Sequence, residues 1–166
     1  MKNRLFLAIP ARIDDYEMIQ KTFSASIKGR WLPPENLHLT LSFFGTAYEK
    51  EALIEGLSTL TFDLQPSIIR GFGYFARNRV FYANVESPSL EELYREVNAL
   101  FEIPTKRGFV GHVTMMRFKE ILDQNRLDEL LALSRDEEVG RLETHPVLME
   151  SELRPEGAKY TEIKRF

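Results

Sequence analysis

The chain has 166 residues, 43% of them hydrophobic and 28% charged, and its formal net charge is −3. This composition is typical of a globular protein, and we expect residues 1–166 to form a single domain with two lobes. The negative charge argues against broad non-specific binding to duplex nucleic acid. The absence of cysteine excludes disulfides, thiolate metal sites and a cysteine nucleophile.

The amino-terminal segment is basic, but its apolar stretch is too short for a signal peptide and indicates a buried first strand. No stretch of the sequence is typical of a transmembrane helix. We therefore expect a cytoplasmic monomer with no membrane partner.

The first half of the chain alternates predicted strands and helices. A strand is predicted over 4–9, and the apolar residues from Ile13 to Ile27 predict a helix. A strand from about 37 to 44 and a second helix around 53–60 follow.

The second half repeats this order approximately. It contains predicted strands near 62–75 and 79–86, a helix after Ser87, a strand from 112, a short helix around 125–133, and closing strands near 145–153 and 158–164. We interpret the echo as a diverged internal duplication around a pseudo-twofold axis, which would place the two equivalent strands side by side.

Those two strands carry a repeated motif, HLTL at 38–41 and HVTM at 112–115. Side chains alternate between the two faces of a strand, so each His and Thr share one face and the apolar residues share the other. Two imidazoles and two hydroxyls can then converge on one cleft.

This set of groups suits acid–base catalysis on a phosphate. The reference pKa of histidine is about 6.5, so one ring can accept a proton while the other donates one. Thr40 and Thr114 can donate hydrogen bonds to an anion between the rings. Arg117 follows Thr114 by an odd number of residues, so on a regular strand it points to the opposite face and needs a bulge or a strand end to reach the anion.

Other polar residues have simpler interpretations. His145 precedes Pro146 and lacks a threonine two residues later, so we expect it at a strand edge or turn. The spacing of the three histidines matches no local metal-ligand motif, and we expect neither a metal nor a cofactor. The pairs Lys106–Arg107 and Arg77–Arg79 can either bind phosphate or belong to solvated loops.

The chain resembles the 2H phosphoesterases, specifically the RNA 2',3'-cyclic phosphodiesterases, also called 2'-5' RNA ligases. The matching segments are RLFLAIP at 4–10, WLPPENLHLTL at 31–41, FFG at 43–45, RVFY at 79–82, FVGHVT at 109–114, Arg117, SEL at 151–153 and GAKYT at 157–161. The sequence departs from the family at Gly111, where proline is usual, and at Met115, where leucine is common.

The resemblance implies an α+β fold, with duplicated antiparallel sheets and flanking helices around a central cleft. It also implies metal-independent opening of a terminal ribose 2',3'-cyclic phosphate to a 2'-phosphomonoester. By this resemblance His112 is the general base and His38 the general acid. Thr40 and Thr114 hold the phosphate oxygens, and Arg117 matches the arginine that follows the second motif.

The implied partners are RNA ends or small nucleotides that bear a 2',3'-cyclic phosphate, and the resemblance also implies reversible 2'-5' RNA ligation. A base can stack on one of several aromatic residues, namely Trp31, Phe43, Phe44 or Tyr74. Otherwise we expect Trp31, both phenylalanines and Tyr82 to lie in the core.

Two alternatives remain open at this point. The chain can be a non-catalytic nucleotide- or RNA-binding module that keeps the cleft. It can also be a phosphodiesterase of another cyclic or 2'-5'-linked nucleotide.

Overall fold

The computed structural model describes residues 3–105 and 108–166, and in these ranges the chain forms nine strands and four α-helices. The strands are β1 (Arg4–Ile13), β2 (Ile27–Trp31), β3 (His38–Gly45), β4 (Ile68–Phe75), β5 (Val80–Val85), β6 (His112–Ile121), β7 (Glu138–Leu142), β8 (Val147–Arg154) and β9 (Gly157–Arg165). The helices are α1 (Tyr16–Phe23), α2 (Lys50–Leu57), α3 (Pro88–Leu100) and α4 (Gln124–Leu133). The predicted α+β class is confirmed.

The strands form two sheets that share β1. Residues 4–10 of β1 pair with β3 and β8, and β9 pairs with β8, which gives a first sheet in the order β3–β1–β8–β9. Residues 11–13 of β1 pair with β7, and the second sheet continues β7–β4–β5–β6–β2. All of these pairings between described strands are antiparallel.

Aromatic side chains form the core of the second sheet beneath α1. Phe23 of α1 lies 5.3 Å from the ring of Phe72 and 4.8 Å from that of Phe81. Trp31 packs edge-on against Phe81, as its predicted core role requires. Burial of each large apolar side chain stabilises the fold by about 1.5–3 kcal/mol. None of the described helices is long and apolar enough to cross a membrane.

The predicted first helix is too long. The helix ends at Phe23, whereas Ile13 ends β1 and Ile27 begins β2. Both isoleucines are buried in the same core as Phe23. Apolar residues of β1, α1 and β2 that face one core are therefore spaced in the sequence like the apolar face of a single helix.

The strands β2 and β7 were missed, and each contains a glycine. A Cβ on Gly29 would lie 2.3 Å from the carbonyl oxygen of Arg117, and one on Gly140 would lie 2.1 Å from that of Arg12. These glycines let neighbouring backbones approach closely. The same glycines interrupt the alternating pattern from which a strand is predicted.

Candidate active site

His38 and His112 are the first residues of β3 and β6 and share one hydrogen-bond arrangement. The Nδ1 atom of His38 lies 2.7 Å from the carbonyl oxygen of Asn36, and that of His112 lies 2.7 Å from the carbonyl oxygen of Val110. A carbonyl can only accept, so Nδ1 carries the proton in both neutral rings. The Nε2 atom of each ring is left as the site of proton exchange.

The hydroxyl of Thr40 lies next to this exchangeable position in the first motif. Its Oγ1 is 3.1 Å from Nε2 of His38. When the ring is neutral the hydroxyl donates to Nε2, and when the ring is protonated Nε2 donates to the hydroxyl oxygen. Protonation of His38 therefore frees the hydroxyl hydrogen of Thr40 for another acceptor.

The two motif strands approach each other without pairing in one sheet. β3 belongs to the first sheet and β6 to the second, yet they have Cα atoms within 8 Å of each other. β3 and β6 therefore lie side by side, as expected, but they do so by contact between the two sheets and not by pairing within one sheet. Sharing of β1 by both sheets makes this approach possible.

The two histidines interact electrostatically. Burial lowers the pKa of His38 below its ordinary 6.5, although the hydrogen bond to Asn36 raises it. The charge of His112 lowers it further. The pKa of His38 therefore depends on whether His112 of the second motif is protonated.

Each imidazole is enclosed by two aromatic rings. His38 lies 5.1 Å from Phe6 and 5.4 Å from Tyr160, measured between ring centroids. His112 lies 5.2 Å from Phe75 and 5.5 Å from Tyr82.

Tyr82 therefore belongs to the cleft, and the prediction that it is a core residue is wrong. Its ring stacks on Phe75 at 4.4 Å and passes over Gly73, where a Cβ would lie 2.7 Å from the hydroxyl. Burial raises the pKa of Tyr82, so its phenol stays protonated at neutral pH. Nothing in the sequence around Tyr82 indicates this position, because it depends on the pairing of Tyr82 with Thr114 of the neighbouring strand.

Arg117 faces the cleft because β6 contains a bulge. Thr114 pairs with Tyr82 and Met116 with Phe81, so Met115 is an extra residue in β6. Met115 and Met116 are both fully buried, and the alternation of faces is shifted by one from there on. The bulge that Arg117 needs in order to share the face of His112 and Thr114 is therefore present.

The position of Arg117 is supported by its effect on Tyr160. Burial raises the pKa of Tyr160, and the positive charge of Arg117 opposes that rise. Because Tyr160 contacts the ring of His38, Arg117 of the second motif strand interacts with a direct neighbour of the first motif.

The first motif strand has the same bulge. Thr40 pairs with Ala8 and Ser42 with Leu7, so Leu41 is the extra residue. The first seven residues of β3 and β6 then alternate between buried and accessible in the same order, and Phe43 takes the place of Arg117. This match supports the predicted duplication.

Phe43 is an exposed aromatic residue rather than a core one. Its side chain is 73% exposed, whereas that of Phe44 is buried. Its ring lies 6.3 Å from Phe6, which contacts His38. The expected core position is therefore wrong for Phe43 and right for Phe44.

A buried polar side chain holds each bulge. The hydroxyl of Tyr16 donates to the carbonyl oxygens of Leu32 and Met115, at 2.8 and 3.2 Å. Burial raises the pKa of Tyr16 to about 12, so it remains a donor at neutral pH. In β3 the side-chain amide of Asn98 donates to the carbonyl oxygen of Leu41 at 3.0 Å.

Gly111, the departure from the family pattern, fits a close approach of β5. The amide of Val85 donates to the carbonyl oxygen of Gly111 at 2.9 Å, and a Cβ on Gly111 would lie 2.4 Å from the carbonyl oxygen of Val85. The backbone before His112 is therefore tied to β5.

The remaining candidates lie elsewhere. His145 is exposed in the turn between β7 and β8, as predicted, and its Nδ1 bonds the carbonyl oxygen of Phe166. Arg79 donates to the carbonyl oxygen of Lys119. Lys106 and Arg107 lie outside the described residues. No group of three or more potential metal ligands is found within residues 3–105 and 108–166.

The interaction between the two motifs predicts how His38 titrates. We expect NMR to give a pKa for His38 below 6.5 in the free protein, and a higher value in His112→Gln because a nearby positive charge is removed. Inorganic phosphate should also raise it. An unchanged pKa in His112→Gln would show that the rings do not interact.

The same shift predicts a pH-dependent stability. Because the pKa of His38 is lower in the folded than in the unfolded chain, the unfolded state binds more protons just below pH 6.5. The contribution of His38 is present above that pH and is lost as the pH falls through the folded pKa. Thermal unfolding of His38→Gln should lack this component.

Comparison with known proteins places this chain in a family. The profile described as LigT like Phosphoesterase matches residues 8–82. An RNA 2',3'-cyclic phosphodiesterase of Methanothermobacter thermautotrophicus is 34% identical, over 100% of this chain and 99% of the relative. The enzyme of the same name from Aquifex aeolicus is 34% identical, over 90% of this chain and 87% of the relative.

Solved structures share the fold. E. coli LigT complexed with 3'-AMP superposes with a TM-score of 0.77 at 22% identity, covering 100% of this chain and 98% of LigT. The protein TT0787 of Thermus thermophilus superposes with a TM-score of 0.70 at 24% identity, covering 98% of this chain and 96% of that protein. The full-length similarity to the Methanothermobacter phosphodiesterase shows that the chain belongs to the LigT-like phosphoesterase family.

Proposed function

We propose that this protein hydrolyses ribose 2',3'-cyclic phosphates, at RNA ends or on small nucleotides, to 2'-phosphomonoesters. The observation that carries the proposal is the pair of imidazoles that begin two contacting strands, each with its Nδ1 atom fixed on a backbone carbonyl. The names of the relatives, RNA 2',3'-cyclic phosphodiesterases, support the substrate class.

In the proposed reaction the two Nε2 atoms have opposite roles. His112 accepts a proton from water while the water oxygen bonds to phosphorus. The bond between phosphorus and the 3' oxygen breaks, and His38 donates its proton to that oxygen. The product is a 2'-phosphomonoester with a free 3'-hydroxyl. When the 5'-hydroxyl of a second RNA takes the place of the water, the same proton transfers form a bond from the 5' oxygen to phosphorus, break the bond to the 3' oxygen, and so join the RNA ends through a 2'-5' linkage.

The hydroxyls of the motifs and Arg117 stabilise the charge on the non-bridging oxygens. Once the Nε2 proton of His38 is directed to the departing 3' oxygen, the neighbouring hydroxyl of Thr40 donates to a non-bridging oxygen of the phosphate. Thr114 has the equivalent place in β6, and Arg117 adds a charge-assisted contact. The two hydroxyls and the guanidinium thus form a phosphate-binding site between the two histidines.

The acid role of His38 depends on the substrate. In the free protein burial and His112 lower its pKa and favour the neutral ring. The negative charge of a bound cyclic phosphate acts in the opposite direction and favours the imidazolium. Substrate binding therefore favours protonation of His38, the form that can act as the acid.

Phe43 is the aromatic residue that we assign to the base. Among Trp31, Phe43, Phe44 and Tyr74 it alone is an exposed side chain, and it lies on the cleft face of β3. Base–aromatic stacking contributes about 1–3 kcal/mol. Phe43→Ala should therefore raise KM for a cyclic nucleotide about tenfold.

A matched control for this change exists on α4. Leu133 is 74% exposed, and Leu133→Ala removes a similarly exposed apolar side chain far from the motifs. Its steady-state KM should equal that of the wild type. Equal KM values for both variants and the wild type would remove Phe43 from the base site.

The proposed function is tested by incubating the protein with a 2',3'-cyclic nucleotide in the presence of a chelator. We expect turnover, with a 2'-phosphate as the product identified by chromatography. Binding without turnover would instead support a nucleotide-binding module. Inertness towards this substrate together with cleavage of another cyclic or 2'-5'-linked nucleotide would support the second alternative.

We further propose that the protein acts as a cytoplasmic monomer formed by one two-lobed domain. Every group of the proposed site, from His38 to Arg117, comes from a single copy of the chain. Size-exclusion chromatography with light scattering should give the mass of one chain, 19.3 kDa.

A further inference from the structure

A second arginine lies beside Arg117 on the cleft face. Arg30 of β2 and Arg117 of β6 are direct register partners in an antiparallel pair. Directly opposed residues project to the same face with Cβ atoms about 4.5–5.5 Å apart. Both side chains are exposed, so two guanidinium groups meet solvent next to each other.

Like charges in directly opposed positions destabilise a sheet unless something neutralises them. Arg12 and Arg141 form a second opposed pair, and there Glu138 lies 3.4 Å from Arg141. Within the described part of the chain, neither Arg30 nor Arg117 forms an ion pair. The Arg30–Arg117 pair therefore has more positive charge than a single cyclic phosphate needs.

Arg30 is positioned by contacts with both sheets: its backbone belongs to the second sheet, and its guanidinium lies against the first. β2 is the edge strand beyond β6, so Arg30 lies between Arg117 and the open edge of the second sheet. Its Nη2 atom lies 2.7 Å from where a Cβ on Gly157 would be, at the start of β9 in the first sheet. The missing side chain at Gly157 leaves room for the guanidinium at the end of the cleft.

We propose that Arg30 forms a second phosphate subsite, which binds the phosphodiester preceding the terminal nucleotide of an RNA. This inference rests on the proposed function and specifies its substrate class as an oligonucleotide. With the cyclic phosphate between the histidines and Arg117, the next phosphate is one nucleotide away, and Arg30 is the adjacent cation towards the open edge of the sheet. A mononucleotide cannot use this subsite.

The test compares a 2',3'-cyclic mononucleotide with a dinucleotide that ends in a 2',3'-cyclic phosphate. The readout is the ratio of their kcat/KM values, since a general loss of activity leaves the ratio unchanged. Arg30→Gln should lower the preference for the dinucleotide about five- to tenfold, and Arg30→Lys should restore part of it. For the dinucleotide, the slope of log kcat/KM against log salt should become shallower by about 0.7 in Arg30→Gln.

Arg135→Gln is the matched control, because Arg135 is an exposed arginine after α4 whose backbone lies against Gly71 of β4 and not on either motif strand. It should change neither the ratio nor the salt slope. An unchanged ratio and slope in Arg30→Gln would overturn the second subsite.

A binding measurement separates this proposal from the proposed function. Calorimetry with the 2'-phosphorylated dinucleotide and the 2'-phosphorylated mononucleotide requires no turnover. Arg30→Gln should weaken the preference for the dinucleotide by the same factor, and an unchanged preference would overturn the subsite. Failure of the wild type to hydrolyse either cyclic substrate would count against the proposed function alone.

Discussion

Replacing either His38 or His112 with alanine is expected to lower turnover of a 2',3'-cyclic nucleotide by about 10²-fold or more. Each ring is held by its Nδ1 hydrogen bond and exchanges protons through Nε2, so neither neighbouring hydroxyl can replace it. Because the two transfers belong to one reaction, the loss in the double variant should be much less than the product of the two single losses. Steady-state kcat is the measurement.

The pH dependence sharpens this expectation. The wild-type profile of kcat/KM should be bell-shaped, with limbs that belong to the coupled pair rather than to one residue. Each single variant should lose one limb.

His145→Ala is the control for the loss of a histidine. His145 is exposed and lies away from the cleft, so this variant should keep both limbs and the wild-type kcat. Thermal unfolding of all variants reports whether the fold survives. A loss below tenfold in both His38→Ala and His112→Ala would contradict the acid–base assignment.

The second large effect is expected at Arg117. A hydrogen bond to a charged group contributes about 1.5–3 kcal/mol, so Arg117→Ala should lower kcat/KM by about 10- to 10²-fold. Arg117→Lys should recover only part of this loss, since an ammonium group cannot form a bidentate contact. An activity within twofold of the wild type would remove Arg117 from the phosphate site.

Tyr16 tests whether the bulge in β6 is what aims Arg117. Tyr16→Phe removes the hydroxyl that donates to the carbonyl of Met115 and should lower kcat/KM about tenfold by displacing the guanidinium. In the Arg117→Ala background the same change should have almost no effect on kcat/KM. A purely structural role would instead give equal losses in both backgrounds.

Tyr48→Phe is the matched control for Tyr16→Phe. The hydroxyl of Tyr48 donates to the carbonyl of Phe101 at 2.8 Å, away from both motifs. Both variants lose a hydroxyl-to-carbonyl bond and should lose stability, by about 1–3 kcal/mol for a buried acceptor. Only Tyr16→Phe should lose activity.

The elements predicted well are those whose conformation follows from a pattern within their own residues. The alternation in HLTL and HVTM correctly predicted strands with His and Thr on one face, because the period of two is a local property of a strand. The helix after Ser87 and the closing strands were also predicted, because the helical period of 3.6 residues and the strand period of two are both local. By contrast, β2 and β7 carry glycines whose purpose is contact with a neighbour, and no local pattern reveals that.

The site divides in the same way. The sequence alone identified His38, Thr40, His112 and Thr114 as one chemical set, since their spacing and types are visible in the chain. It could not identify Tyr82, Tyr160 or Phe6 as the rings around the histidines, because those contacts join different strands.

What the sequence determined by itself is the chemistry: two imidazoles, two hydroxyls and a nearby arginine, each placed on a strand. Only the tertiary structure decided towards which face of the sheet the side chains after each motif point. The bulges at Leu41 and Met115 turn Phe43 and Arg117 towards the cleft. A bulge inserts one residue relative to a partner strand, and whether it forms depends on that partner and on the buried donor that holds it, neither of which is local in sequence.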